Sequence, residues 1–397
     1  MKLVKVLVAF SLGSLTGPFM LRAAQPDTLV AHEWGTFTSV ADEGGNPVEW
    51  APWLGPSDLP CFVERLDGRN WKVLLRSLVR METPVLYFYS ARPTTLSVHV
   101  DFPQGWITEW YPKAAVTAGS PSDHGAISEY NNGKIAWDSV EVLPGANLEF
   151  PTASGDSHYF YARNTDSAPL RVGDQQEKLL FYRGIGGFKV PVRPKFSSDG
   201  KLEIRNAGPD PIPLAIVFEN RAGKIGYRVV HNIADAVTVD LPELTGDFQQ
   251  LRQDLAGELA GFGLYQKEAE AMVETWRDSW FEEGTRVLYV YPRDQVDTLL
   301  PLSIDPKPTA TDRVFVGRVE VLSPWTQQTI RSAMSSGDVA TLTKFGRFLN
   351  PFLDQIWRTI PDAAPSMRTN AFLFQSRQEI QKSSSETSGW NSGACVE

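Results

Sequence analysis

Apolar and polar positions alternate with a period of two along residues 95–102: Leu96, Val98, Val100 and Phe102 share one face, and Thr95, Ser97, His99 and Asp101 share the other. Similar short apolar runs recur at 84–90, 106–111, 135–142, 158–163, 178–183, 202–206, 214–220 and 227–231, with turn residues between them. Such regular spacing predicts a β-rich, β-sandwich-like part over residues 25–240. The period then changes. Phe248, Leu251, Leu255, Leu259 and Phe262 follow three-and-four spacing, as do Ala269, Met272, Val273, Trp276 and Trp280, which predicts two amphipathic helices with Gly284 placed to stop the second. Strands are expected at 285–291 and 313–322, and Ser323-Pro324 and Asn350-Pro351 each have the form of a cap followed by proline at the first helical position. Residues 241–380 are therefore expected to form a mostly helical α+β part packed on the first, and the Ser-rich residues 381–397 a disordered tail.

Composition agrees with this picture and adds a compartment. The 31 Gly and 28 Pro suit a loop-rich β protein. The formal charge of -9, with no dense Lys/Arg block, argues against nucleic acid as a partner, since phosphate neutralisation needs a concentrated basic face. Residues 1–24 have Lys2 and Lys5 ahead of an apolar stretch broken by Gly13, Gly17 and Pro18, then Ala23-Ala24. That order predicts a secretory signal peptide, a secreted or periplasmic product, and no stable membrane anchor, because the stretch falls short of the roughly 20 residues a span needs. Loss of Lys2, Lys5 and Arg22 with the leader makes the mature chain more acidic still. Cys61 and Cys395 are the two cysteines. In an exported chain they can pair; alternatively, Cys61 is a small buried apolar residue and Cys395 lies in a mobile tail.

All five histidines precede residue 232, so any imidazole chemistry belongs to the β-rich part. The densest opening is His32-Glu33-Trp34, where imidazole and carboxylate could share acid and base work or ligate a divalent metal. No HExxH or CxxC spacing is present, and the same residues also read as a strand whose Trp34 packs inward while His32 and Glu33 find local partners. Asp123-His124 lies in a Gly/Ser/Pro-rich loop, where sites are often displayed. On a strand over 158–163, Tyr159, Tyr161 and Arg163 would share one face and offer rings, hydroxyls and a cation to a sugar or an anion, with His158 on the other. Arg183, at an expected strand end before a Gly-rich turn, and Trp110, beside Glu109, are further ligand contacts to consider. The turn itself leads into an extended segment, not a helix, which excludes a phosphate cradle. His99 and Asp101 share a strand face, most simply a solvated one. The acidic positions of the second helix, from Glu268 to Glu283, read as an outer face, with Trp276 and Trp280 as the stripe that docks.

The strings AHEWGTFTSVA, RMETPVLYFYS, FPQGWITEWYP, HYFYAR, KLLFYRG, AMVETWRDSWFEEG and RVFVGRVE resemble a group of secreted bacterial proteins of similar length. The resemblance spans nearly the whole chain after the leader and implies that the two parts belong to one unit. It brings no activity, cofactor or catalytic residue with it.

Two functions are consistent with these observations. One is a non-catalytic binding or scaffolding protein that recognises an extracellular glycan or protein segment through aromatic surfaces, which 12 Trp and 11 Tyr could supply. The other is a secreted hydrolase or lyase acting on an extracellular polymer, with His32, Glu33, Asp123, His124 and His158 as its acids and bases and Tyr161, Arg163 or Arg183 holding substrate charge. Convergence of at least two of these histidines on a carboxylate would favour the enzyme, and exposed rows of rings would favour the binder.

Overall fold

A computed structural model describes residues 28–52, 59–66, 76–117, 132–154 and 157–358. Among the described residues strand makes up 44% and helix 24%, and the strands concentrate in the first two thirds while helices concentrate toward the C-terminus, which is the β-rich, sandwich-like class expected.

The organising element is a nine-stranded sheet. From one edge its strands run Lys224–Ile233, Ile212–Arg221, Gly284–Val290, Ala310–Val321, Val30–Ala41, Val79–Tyr89, Leu180–Gly186, Gly105–Tyr111 and Glu64–Arg65. Neighbours are antiparallel except at the centre, where Val30–Ala41 lies parallel to Ala310–Val321. Strands from both sides of residue 240 thus alternate in one sheet, and the expected boundary there does not divide it. The central strands are covered on both faces, so their polar residues, such as Glu33, Glu82 and Glu320, mark buried partners and not a wet side, and no apolar–polar alternation marked these strands as one sheet.

One face meets a second, six-stranded sheet, whose main strands are Thr94–Pro103 and Asn132–Val142, and a three-stranded sheet of Val192–Phe196, Leu202–Asn206 and Ala236–Val239. Phe37, Met81 and Phe315 of the central sheet pack there with Val98, Phe102, Trp137 and Ile204. The opposite face is covered by the helices Phe248–Gly261 and Gln266–Trp280, whose Leu255, Met272 and Trp280 pack on Trp34, Tyr87, Ile216 and Leu288. Each fully buried side chain of this size contributes roughly 1.5–3 kcal/mol from apolar burial alone. A third cluster joins the C-terminal helices, through Ile330, Leu349 and Phe352, to Val40 and Trp50.

Local details correct several expectations. Residues His158–Arg163 form a 3-10 helix and not a strand: the Ser157 hydroxyl accepts from the Tyr159 N–H, and i-to-i+3 backbone bonds run from Phe160 to Ser157 and from Asn164 to Tyr161. Over six residues, alternating aromatic and polar side chains do not separate the two conformations. The second helix ends at Trp280, short of Gly284, because the Arg286 side chain donates to the carbonyls of Trp280, Glu282 and Glu283 and so satisfies the helix terminus. Ser323 caps its helix as expected, its hydroxyl accepting from the Thr326 N–H. Asn350 does not cap: the last helix, Leu349–Arg358, follows directly on a 3-10 turn and already contains it.

Candidate functional site

His32 and Glu33 leave the first strand on opposite faces of the central sheet, so they cannot share a reaction centre. His32 points to the helices. Its Nδ1 lies 2.7 Å from Glu268 Oε2, and its Nε2 lies 3.5 Å from Asp312 Oδ2 at the surface. Glu268 also accepts from the Tyr89 hydroxyl at 2.8 Å and from the Tyr265 N–H at 2.8 Å, which makes it both the capping residue of its helix and the clasp that holds that helix to the first strand. Burial, with the Glu268 carboxylate next, pushes the Tyr89 hydroxyl well above its usual value, so it stays a donor. The Tyr265 ring lies over the imidazole at 4.4 Å. Glu268 was expected on a solvated face and is instead fully buried; with Tyr and not Ser or Thr at the cap position, the sequence lacked the capping-box signature that would have marked it.

Glu33 faces the sandwich. It accepts from the Tyr182 hydroxyl at 2.5 Å and from Arg313 Nε at 2.6 Å, and Arg313 continues to Asp297 at 2.7 Å. On the helix side, a second buried set of charges crosses several strands. Glu320 binds Arg286 at 2.8 Å and Arg318 at 2.6 Å. Arg318 reaches Ser279 and Glu282, each at 2.6 Å, and Glu82 accepts from Thr38 and from the fork of Arg347. Burial alone would raise the Glu82 pKa, but the guanidiniums of Arg347, Arg80 and Arg183 hold its carboxyl well below the usual 4.5.

The other sequence candidates are dispersed. His158 meets the Thr275 carbonyl and Asp278, at the far end of the helix that carries Glu268. Seven to ten residues of helix, about 10–15 Å, separate those contacts from Glu268, so His158 does not join His32. Arg163 forks onto Glu177, which also accepts from Tyr159, and the guanidinium sits among the rings of Phe62, Phe150, Tyr159 and Phe160. Tyr161 turns instead to Arg277. The common face expected for Tyr159, Tyr161 and Arg163 is thus lost with the strand. Arg183 is buried inside its strand and donates to Thr83. Trp110 is half-buried against the sandwich core. His99 and Asp101 do lie on an exposed face, each beside a residue of the neighbouring strand, Asp138 and Lys134. Asp123 and His124 lie outside the described residues, as does Cys395; Cys61 is disulfide-bonded. Trp34, Trp50 and Trp106 are buried, and the large hydrophobic side chains left exposed among the described residues are Phe248 and Tyr265, so no row of open rings is found among them; Trp53 lies outside the described residues. No group of three His, Cys, Asp or Glu among the described residues could hold a metal ion, and no helix among them is long and apolar enough to cross a membrane.

A cleft of about 500 Å³ opens beside the three-stranded sheet. Its walls come from three stretches: Lys189 to Arg193, the loop Ala207 to Asp210, and Tyr291 to Leu299. Asn206 fixes the loop. Its side-chain amide donates to the carbonyls of Asp210, Ile233 and Ala234 and accepts from the Gly208 N–H, while the Ala207 N–H donates to the Pro191 carbonyl at 2.7 Å. Gln295 reaches Asp210 at 3.3 Å, and Arg193 donates to Asn46. Lys189 and Asp294 are exposed, and their side chains have no hydrogen-bond or ion-pair partner among the described residues. The first two stretches lie close in sequence and the third well beyond them, and all are rich in turn residues, so no periodic pattern could have announced them.

No family model matches the chain, and no curated protein matches it. Among solved structures, the yeast delta-COP-I mu-homology domain is similar with a TM-score of 0.27 and 9% identity, covering 75% of this chain and 99% of that one. The same domain complexed with a Dsl1 WxWxV peptide is similar with a TM-score of 0.27 and 8% identity, at the same coverage. A likeness of that degree carries no argument about function.

Proposed function

We propose that the chain is an exported protein that binds an extracellular glycan or protein segment, and that the ligand enters the cleft beside the three-stranded sheet. The observation that carries this is the pair of free, opposite charges, Lys189 and Asp294, at a cleft of about 500 Å³ whose loop is pre-organised by Asn206. That volume lies within the range of roughly 300–1,000 Å³ usual for ligand sites. The charged side chains of the β-rich part first considered, Glu33, Arg163 and Arg183, are by contrast engaged within the fold. Amide hydrogen exchange of the purified chain, with and without soluble oligosaccharides and synthetic tetrapeptides, tests the proposal. Protection is expected in residues 187–193, 207–210 and 293–299; protection confined to other segments would overturn it.

A second reading, a secreted hydrolase or lyase, is favoured by the Glu268–His32 pair. The buried Glu268 carboxylate orients the imidazole at Nδ1, and the Asp312 carboxylate lies 3.5 Å from Nε2 toward the surface, so the ring is held in place between two acids, as a positioned acid–base group would be. Its test is release of reducing ends or 4-nitrophenol from model substrates, expected to fall at least 100-fold in His32→Gln. Equal turnover in both proteins would sink it.

A further inference from the structure

We infer that the occupant of the cleft is a short peptide segment that carries a cation and a carboxylate a few residues apart. This rests on the cleft being the ligand site and goes further by naming what it takes.

The charges of the cleft are sorted by element. Lys189 and Arg193 come from the segment that enters the strand Val192–Phe196, whereas Asp210 comes from the loop and Asp294 from the helix Arg293–Leu299. A ligand in the cleft thus meets charge of both signs, carried by different elements. A polyanion, such as an acidic polysaccharide, gains at Lys189 and is repelled at Asp210 and Asp294, and a polycation suffers the reverse. A neutral glycan leaves both free charges without a charged partner. It also lacks a platform, because sugar recognition favours an open ring face, and the one aromatic side chain of the cleft among the described residues, Tyr291, is only 3% exposed. Its hydroxyl lies beside that of Tyr289, and burial pushes it well above its usual value, so it stays protonated and adds no charge to the cleft. A peptide with one side chain of each sign answers both charges, and its backbone N–H groups can donate to the side-chain carbonyl of Gln295, whose amide N–H donates to Asp210.

The partners of Lys189 and Asp294 would be partly solvated, so the contribution of each is modest and sensitive to salt. The probe is an acetylated, amidated tetrapeptide with lysine at one end and glutamate at the other, titrated calorimetrically into the full exported chain. Comparison ligands are the two tetrapeptides with like-charged ends and the neutral oligosaccharide cellotetraose. The mixed peptide is expected to bind at least tenfold more tightly than either like-charged peptide. Lys189→Glu and Asp294→Lys, both exposed and so without consequence for the fold, should each weaken it at least fivefold. Cellotetraose binding that protects the same three segments, with no preference for the mixed peptide, would overturn the peptide inference and leave the binding proposal standing. Absence of binding by every ligand, with the exchange of those segments unmoved, would overturn both.

Discussion

Replacing Glu320 with glutamine is expected to cost about 3–5 kcal/mol of folding stability, because it removes one charge from a buried set and leaves two guanidiniums, Arg286 and Arg318, short of their carboxylate. The damage should spread to the helices. Arg286 is held by Glu320 while it satisfies the carbonyls that end the helix Gln266–Trp280, and Arg318 is held by Glu320 while it reaches Ser279 and Glu282 next to that end. Urea unfolding of the two proteins measures the difference, and a loss below about 1 kcal/mol would contradict the role given to the pair. The pH dependence supplies an independent readout. Burial would raise the Glu320 pKa, but Arg286 and Arg318 lower it below 4.5 in the folded protein, as the arginines around Glu82 do for that residue. A carboxyl whose folded pKa is depressed contributes stability that is fully present above its unfolded value and is lost as pH falls through the folded one. The wild-type protein should therefore lose stability as pH drops below 4.5, and Glu320→Gln should show a shallower acid limb.

Gly184→Ala should be comparably damaging for a steric reason. A Cβ at that position would lie 2.2 Å from the carbonyl oxygen of Trp106, an atom of the neighbouring strand's backbone, and close to Met81 and Phe102. A side-chain end could swing away; a strand paired on both sides cannot. Gly184 also stands where the register shifts against both of its neighbours, so the irregularity and the absent side chain belong together. Overpacking of this kind costs about 1–3 kcal/mol where side chains can adjust, and a backbone clash belongs at or above the upper end. A thermal midpoint unchanged from wild type would refute the assignment.

The strand Thr94–Pro103 was legible because one face is wet: Leu96, Val98, Val100 and Phe102 are buried and the residues between them are not. The two helices were legible for the same reason at their own period, and Trp276 and Trp280 do dock on the sheet. Val30–Ala41, Gly284–Val290 and Ala310–Val321 are covered on both faces, and a strand without a wet side gives no clue to which strands lie beside it. The candidate site was less legible than the fold. Adjacent residues on a strand point apart, which separated His32 from Glu33, and the position that meets His32, Glu268, lies 236 residues away. The cleft is made where a strand's lead-in and a nearby loop meet a short helix whose Gln295 lies 85 residues beyond Asp210, and local spacing contains no record of that meeting.

The parallel seating of Val30–Ala41 against Ala310–Val321 has a consequence in time. A ribosome delivers the first strand long before its central neighbour, since partners such as Glu33 and Arg313 are 280 residues apart. Until that late segment emerges the sheet has no middle, and the strands already outside can pair only in partial arrangements. Ordering over such sequence separations is intrinsically slow: the strand that completes the sheet is still being made when the first has already left the ribosome.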